Sequence, residues 1–548
     1  IFPGGQGGIN GAIVADPVNT NVFFISGDRQ NGPFTNVNGC RDYSANIFRG
    51  DAGQPATNLW QNVVGNGAQG SAPHADSRAM AFYNVGLAGT ILYAGDGGLS
   101  RLADPNNTIP DRRWVDDNGS LRPTEIHSVA YDSVNHAVIA GAQDVGTPMQ
   151  VGPGNYTWNE QISGDGGNVA VDNSSTPGTA IRYSCFYYLS GMNRTTWTNN
   201  ICVATNTVGL LIGNGPNSGT NLNALNANNT PDDGDEPIIT GVQFYNPYQL
   251  NAIDPTHMLI GTSNALYEST DKGDHLTDLA INTGNYVGTA AFARGAGSSP
   301  IAYGSRSNGV PMVDAFYVGS GNYLIHRVVA GGGYTFPQLP AGCFARSVVM
   351  DPQNYKNVYV LDYFQRVFAS FNEGTNWINL TVNLTNLCPD IRCLEIFSPT
   401  NTPLNTVLVA GGQSGIFYMP RPAAGGTIWT NLGTGLPHAL FLDLHFDYAN
   451  SVLVAGSLGR GAWTIQNFFR GDGAPLAGPT LNIQPTGTNV VLSWSNAFPG
   501  YSLESSTDMI HWTPVAATVD PVNGINSLPQ PAGGGNIFYR LTAPASVQ

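Results

Sequence analysis

The sequence predicts an all-β chain, a β-propeller of about seven to nine blades followed by a small β-sandwich. Two features of composition and one of repetition lead there. Of 548 residues, 41% are hydrophobic and only 11% charged, too apolar for a disordered chain. The 68 Gly and 36 Pro supply turn formers at a density unsuited to a helical protein. One strand-turn-strand unit also recurs through residues 1–470.

The unit reads AIVADPVNTNVFFISGD from Ala12, SVAYDSVNHAVIAGAQD from Ser128 and LNAIDPTHMLIGTSN from Leu250. It returns as SVVMDPQNYKNVYVLD from Ser347 and LDLHFDYANSVLVAGS from Leu442. In each copy β-branched and aromatic residues alternate with period two, which makes the pieces strands, and Asp or Asp-Pro closes the first of them. Weaker copies begin near Met80, Val169, Ala290 and Leu394, giving about nine units spaced by roughly 40 to 80 residues, the range of propeller blades. Residues 1–470 are therefore assigned to the propeller and 471–479, Gly- and Pro-rich, to a linker. Residues 480–548, with LNIQPTGTNVVLSWS and YSLESSTDMIHWTPV alternating between Pro and Gly turns, are assigned to the sandwich.

The net charge is −15 and Lys occurs only at Lys272 and Lys356, so the cations are nearly all Arg. No basic stripe is present, which argues against nucleic acid as a partner. No run of about 18 apolar residues exists to form a membrane-spanning helix. Arg suits bidentate contact with carboxylate or sulfate, so an acidic chain can still hold a cationic pocket. The six cysteines show no zinc or haem spacing. Disulfides are expected, with Cys388 and Cys393 stapling a loop and Cys185 and Cys202 bridging strands, as in a secreted, periplasmic or extracellular protein. The chain opens on Ile1, which reads as a processed or trimmed terminus.

Two units continue into Ser269-Thr-Asp271-Lys-Gly273 and Ser370-Phe-Asn372-Glu-Gly374-Thr-Asn-Trp377, with Leu276 in the Trp position of the first. Asp or Asn caps such a hairpin through its own backbone, Gly supplies the positive φ, and Trp packs over the turn. The pattern resembles the Asp-box of sialidases, sortilin-type receptors and two-propeller xyloglucanases, and Gly459-Arg460-Gly461-Ala-Trp463 resembles the ending common in such propellers. The small C-terminal region resembles the fibronectin-like modules of secreted bacterial proteins. The first resemblance implies a propeller whose acidic residues lie on the upper face, often as a glycosidase. The sequence lacks the Arg-Ile-Pro segment of sialidases, and has SGDRQNG where the xyloglucanase pattern has T-D-x-G-G.

If each first strand is the innermost of its blade, residues before it and residues after the second strand share the upper mouth. Asp271 and Asn372 then fall on the lower rim as turn caps. The mouth receives Asp28, Arg29, Asp96, Gln143, Asp144, Arg306, Gln413 and Arg460 from one end of each unit. It receives His74, Asp76, Arg78, Glu125, His127, Asp165, Arg346, Arg392 and His438 from the other. Singly, each has a plain structural explanation; convergence in one opening is what marks a site.

Glycoside hydrolysis needs one carboxylic acid and one carboxylate, and Asp28, Asp96, Glu125, Asp144 and Asp165 form the pool, with Asp96 and Asp144 first. Arg29, His74, Asp76, Arg78, His127, Gln143, Arg346, His438 and Arg460 are the expected substrate contacts. A polysaccharide lyase using His74, His127 or His438 beside Arg78 or Arg346 is a second reading, and a non-catalytic propeller binding glycan or protein is a third. The expected partner is a polysaccharide or oligosaccharide, neutral or acidic, with no cofactor. Asp232, Asp233, Asp235 and Glu236 cluster as a structural Ca²⁺ site would, without EF-hand spacing, and read more simply as a solvated loop.

Overall fold

Each repeat unit folds as an antiparallel meander, because its alternation fits the strand period and its connections are too short for anything but a neighbouring strand. The structure is a computed structural model. It describes residues 4–542 apart from 86–87, 107–111, 120, 216–217, 224–240, 264, 282–299, 400–405, 425–427, 434–435, 467–480, 496–501, 509–510, 517, 521–524 and 532–536. The unit expected near Ala290, the acidic run at 232–236 and the linker at 471–479 lie outside the described residues.

Among the described residues, nine sheets of three to five strands follow one another before residue 467. Their innermost strands are Ala12–Ala15, Ser77–Val85, Ile126–Asp132, Ala170–Asp172, Tyr248–Leu250, Ile301–Ser307, Ala345–Met350, Ile391–Phe397 and Leu440–Asp447. The last seven sheets close a ring: each inner strand packs against the next blade, and Leu440–Asp447 packs back on Ile126–Asp132. The fold is therefore a β-propeller whose ring has seven blades. The first two sheets pack on each other as an outer pair, over a core that includes Val22, Phe24, Ile47, Ile91, Tyr93 and Trp114.

Two kinds of contact hold the closing seam. Ile126, Val129, Val138, Val452 and Val454 form a shared buried cluster, each side chain contributing about 1.5–3 kcal/mol by leaving water. Asp443 Oδ2 accepts the Val129 N–H at 2.8 Å. The same pin recurs elsewhere: Ser128 Oγ accepts Val169 N–H at 3.1 Å and Ser347 Oγ accepts Leu394 N–H at 3.3 Å. The seam is thus an ordinary blade interface with Asp standing where two other interfaces use Ser.

The two Ser-x-Asp/Asn hairpins turn at the end of the blade opposite the start of its inner strand. Ser269 Oγ contacts Asp271 Oδ1 at 2.9 Å and accepts Gly273 N–H at 2.9 Å, while Asp271 Oδ1 accepts His275 N–H at 2.9 Å. Ser370, Asn372, Gly374 and Asn376 repeat this network. Gly273 and Gly374 hold φ of +91° and +79°, which a Cβ would strain.

A second compact unit holds the described residues between 481 and 542. Its two antiparallel sheets share one core around Leu492, Trp494 and Leu503, which makes it a small sandwich. Ser506, Asp508 and His511 form a further capped turn in it.

The expected disulfides are absent, because all six cysteines are free. Cys388 points toward Gly412 and Cys393 toward Gly411 and Phe441, on the two sides of one strand pair. Cys185 is buried against Gly167 and Asn168, whereas Cys202 is exposed on an outer strand.

Candidate functional site

The inner strands carry a shared irregularity near their starts. Ser77 and Ala79 oppose Gly95 and Ala94, leaving Arg78 as an extra residue, and His127, Arg346, Arg392 and Leu442 are extra in the same way in four ring blades. Such a bulge bends the strand and re-aims one side chain. Four of the charged or polar residues picked from the sequence therefore occupy one structural position.

At this end of the molecule the outer pair meets the first ring blade, and a row of carboxyl groups forms between them. Asp76, Asp96 and Asp144 each place an oxygen within 4.8 Å of the others. Arg78 Nε and Nη2 grip both oxygens of Asp96 at 2.5 and 2.6 Å. Asp28 extends the row beyond Asp76, accepting the backbone N–H of Gln6 at 2.8 Å and of Arg29 at 2.6 Å. Asp165 extends it beyond Asp144: its Oδ1 accepts Gln143 Nε2 at 2.7 Å and the Asp144 N–H at 3.0 Å. Gln143 in turn accepts the Tyr245 hydroxyl.

Asp76 and Asp144 hold φ of +61° and +58°, a conformation L-residues seldom adopt outside turns and sites. Both are pushed toward the protonated form. Burial, then the charges of Asp165 and Asp96, raises Asp144 to about 8. Burial and the neighbouring Asp28 raise Asp76 to about 7, with Asp96 adding to the effect. Glu125 is also raised, by burial and by Asp96. Although burial works against its charge, the N–H of Gln6 and the contact with Asp76 pull Asp28 below the usual range. Asp144 Oδ2 is sealed from solvent and has no donor among the described residues, so a proton on the Asp144–Asp96 contact is what relieves it.

All five expected catalytic carboxyls thus gather in one neighbourhood, with Asp76, Arg78 and Gln143 among them. The other expected contacts divide. Arg29 pairs loosely with Asp42 at 3.7 Å and lies over Tyr43, on which His74 also stacks. His438 is exposed before the seventh blade's inner strand. Arg460 Nη1 donates to Leu121 O at 3.2 Å, tying the seventh blade to the chain that enters the ring.

His127 and Arg346 are corrected. His127 is only 4% exposed and packs on Tyr245 at 4.2 Å, and burial lowers it to about 4, so it is a neutral core residue. Arg346 is 3% exposed, over Tyr363, with Nη1 3.4 Å from Ile391 O. The bulge aims both inward, where neighbouring side chains cover them. Two residues not expected from the sequence join the site: Asn10, whose Nδ2 donates to Asp76 at 2.7 Å, and Tyr245. Asn10 stands just before its inner strand, as His74 and Glu125 do before theirs, and that placement was the available signal.

No family model matches the chain, and no curated protein matches it. Among solved structures it is similar to YCF48 from Cyanidioschyzon merolae, at 11% identity and TM-score 0.38, covering 63% of this chain and 95% of that one. It is likewise similar to YCF48 bound to D1 peptide, at 11% identity and TM-score 0.37, covering 63% and 93%. The GH74 enzyme of Niastella koreensis shows 15% identity and TM-score 0.29, covering 88% of this chain and 73% of that one. These likenesses are remote, and the propeller assignment stands on the sheet order and the closed ring.

Proposed function

We propose that the chain is a glycoside hydrolase that cleaves a polysaccharide at the carboxylate row. One observation carries this reading: Asp144, raised to about 8 by burial and Asp165, holds its proton at neutral pH beside the arginine-bound carboxylate of Asp96. A glycosidic bond breaks when a protonated carboxyl supplies the leaving oxygen and an ionised one supports the anomeric carbon. The contact of under 4.8 Å is too close for the water that an inverting pair admits across about 6.5–9.5 Å. It is nearer the spacing of about 5 Å of a double displacement.

In that sequence Asp144 gives its proton to the leaving oxygen while Asp96 attacks the anomeric carbon and the C–O bond breaks. Asp144, now a carboxylate, takes a proton from water, whose oxygen displaces Asp96 from the sugar. Arg78 positions Asp96, and Asp165 keeps Asp144 protonated for the first step. The Asp-box hairpins fit the same reading as lower-rim caps that leave the opposite end for chemistry.

The test is release of reducing ends from a panel of neutral and acidic polysaccharides. D144N and D96N are each expected to lose about 10²–10⁴-fold in kcat, with the product keeping its anomeric configuration by NMR. Wild-type rates in the D96N/D144N double variant would remove the assignment.

A further inference from the structure

The connector from the outer pair into the ring, of which residues 121–125 are described without a break, runs along the seam between the seventh and first ring blades. Gly459 and Gly461 both donate backbone N–H to Thr124 O at 3.2 Å. Gly461 holds φ of +68°, which favours glycine, and packs at ordinary van der Waals distance from Arg122. Beside the connector the seam opens into a cleft of about 1090 Å³, which Arg122, Asp144, Tyr156, Trp158, Glu160 and Trp463 line.

Arg122 is held in this cleft by aromatic rings. Its guanidinium carbon lies 4.8 Å from the centroid of Tyr156 and 5.6 Å from that of Trp463. Its backbone φ is +52°, a left-handed turn conformation. Among the described residues Arg122 makes no ion pair, whereas Arg78, Arg182, Arg194, Arg327 and Arg392 each bind a carboxylate of the protein. Stacking fixes the guanidinium plane and uses its faces, leaving the N–H edges for a planar oxyanion.

We infer that Arg122 is the recognition group for a carboxylate carried by the glycan, so that the substrate is an acidic polysaccharide containing uronic acid. This rests on the hydrolase reading for the bond that is cut, but not for the binding. The chemistry of the cleft is consistent. Asp144 arrives protonated and burial raises Glu160, so the protein's own carboxyls repel an anionic sugar less than their number implies. In a chain of net charge −15 an anion needs a specific cation to be held, since the distant field is screened beyond about 8–10 Å at physiological salt.

Calorimetry with oligogalacturonate, oligoglucuronate and cellohexaose as probes tests this. The wild-type chain is expected to bind at least one oligouronate, at least about ten-fold more tightly than cellohexaose, and R122Q to lose about ten-fold or more of that affinity. Y156A, at a site 80% exposed and so harmless to folding, should lose less. Equal binding of acidic and neutral probes, no oligouronate binding, or unchanged affinity in both variants overturns the inference. Arg122-dependent binding without bond cleavage would instead leave it standing and remove the hydrolase reading. Cleavage of neutral glycans unaffected by R122Q would do the reverse.

Discussion

Arg78 and Arg346 sit on the same strand bulge in two sheets, one in the outer pair and one in the fifth ring blade. The Arg78 side chain is 53% exposed and clamps Asp96, whereas that of Arg346 is 4% exposed and faces an aromatic ring, a backbone carbonyl and, at 3.9 Å, Asp390. The backbone device is identical, and what lies across from it decides whether the residue serves chemistry or packing. Around Arg78 the neighbours are acids with strained backbones; around Arg346 they are Tyr363, Arg392 and the Asp390 that Arg392 already holds.

The sharpest way to break this contrast is to remove each arginine. R78M is expected to cut kcat/KM about 10²-fold, because Asp96 loses the group that fixes it, and to lower the melting temperature, because the Asp96 side chain, only 6% exposed, is left without its cation. R346M is expected to leave kcat/KM intact and to cost no stability, since Met fills the site without an incompletely bonded guanidinium. Thermal unfolding and kinetics on both variants check this, and equal activity losses would dissolve the distinction.

Next in size is the pH profile. Turnover needs Asp144 protonated, so kcat/KM should fall as pH rises through about 8. Asp165 raises Asp144, so D165N should move that alkaline limb to lower pH. An unmoved limb would show that another group sets it.

A smaller effect distinguishes the closing seam from the other blade interfaces. Burial raises Asp443 to about 7 in the folded ring, against an ordinary 3.8. Between those values the folded chain keeps a proton that the unfolded chain has released, so stability is highest at acid pH and falls as pH rises to about 7. D443N keeps an oxygen for the Val129 N–H, gives up the Leu444 N–H that Oδ1 accepts at 2.9 Å, and removes that slope. It should be more stable than wild type at pH 8 by about 1 kcal/mol, allowing for solvent at a half-buried side chain, and no more stable at pH 4; denaturant titration at both pH values decides. The smallest change is D271A, which loses the His275 N–H and Ser269 contacts on the far rim and should cost about 1 kcal/mol with kcat/KM unchanged.

Much of this was legible in the sequence and part was not, for physical reasons. Alternation and turn residues mark strands locally, so eight of the nine repeat starts lie on or near inner strands of described sheets. Acids after second strands also converge, because that end of every sheet faces one way. Repetition alone does not say which copies close a ring, since Ala12–Ala15 and Ile126–Asp132 read alike and only packing against Leu440–Asp447 separates them. Burial of His127 depends on Tyr245, more than 100 residues away, and the cysteines miss one another because adjacent strand positions face opposite sides. Arg122 carries no signal at all until Trp463 and Tyr156 are brought beside it.

A ring whose first and seventh blades meet through the same pin as two other pairs of neighbours is, topologically, a closed loop with one nick, between Ile126 and Gln466. Nothing in the geometry privileges that nick. It could be moved to another blade boundary by joining the ends and cutting elsewhere, and the chain's other modules would then attach at a new seam while the ring stayed the same object.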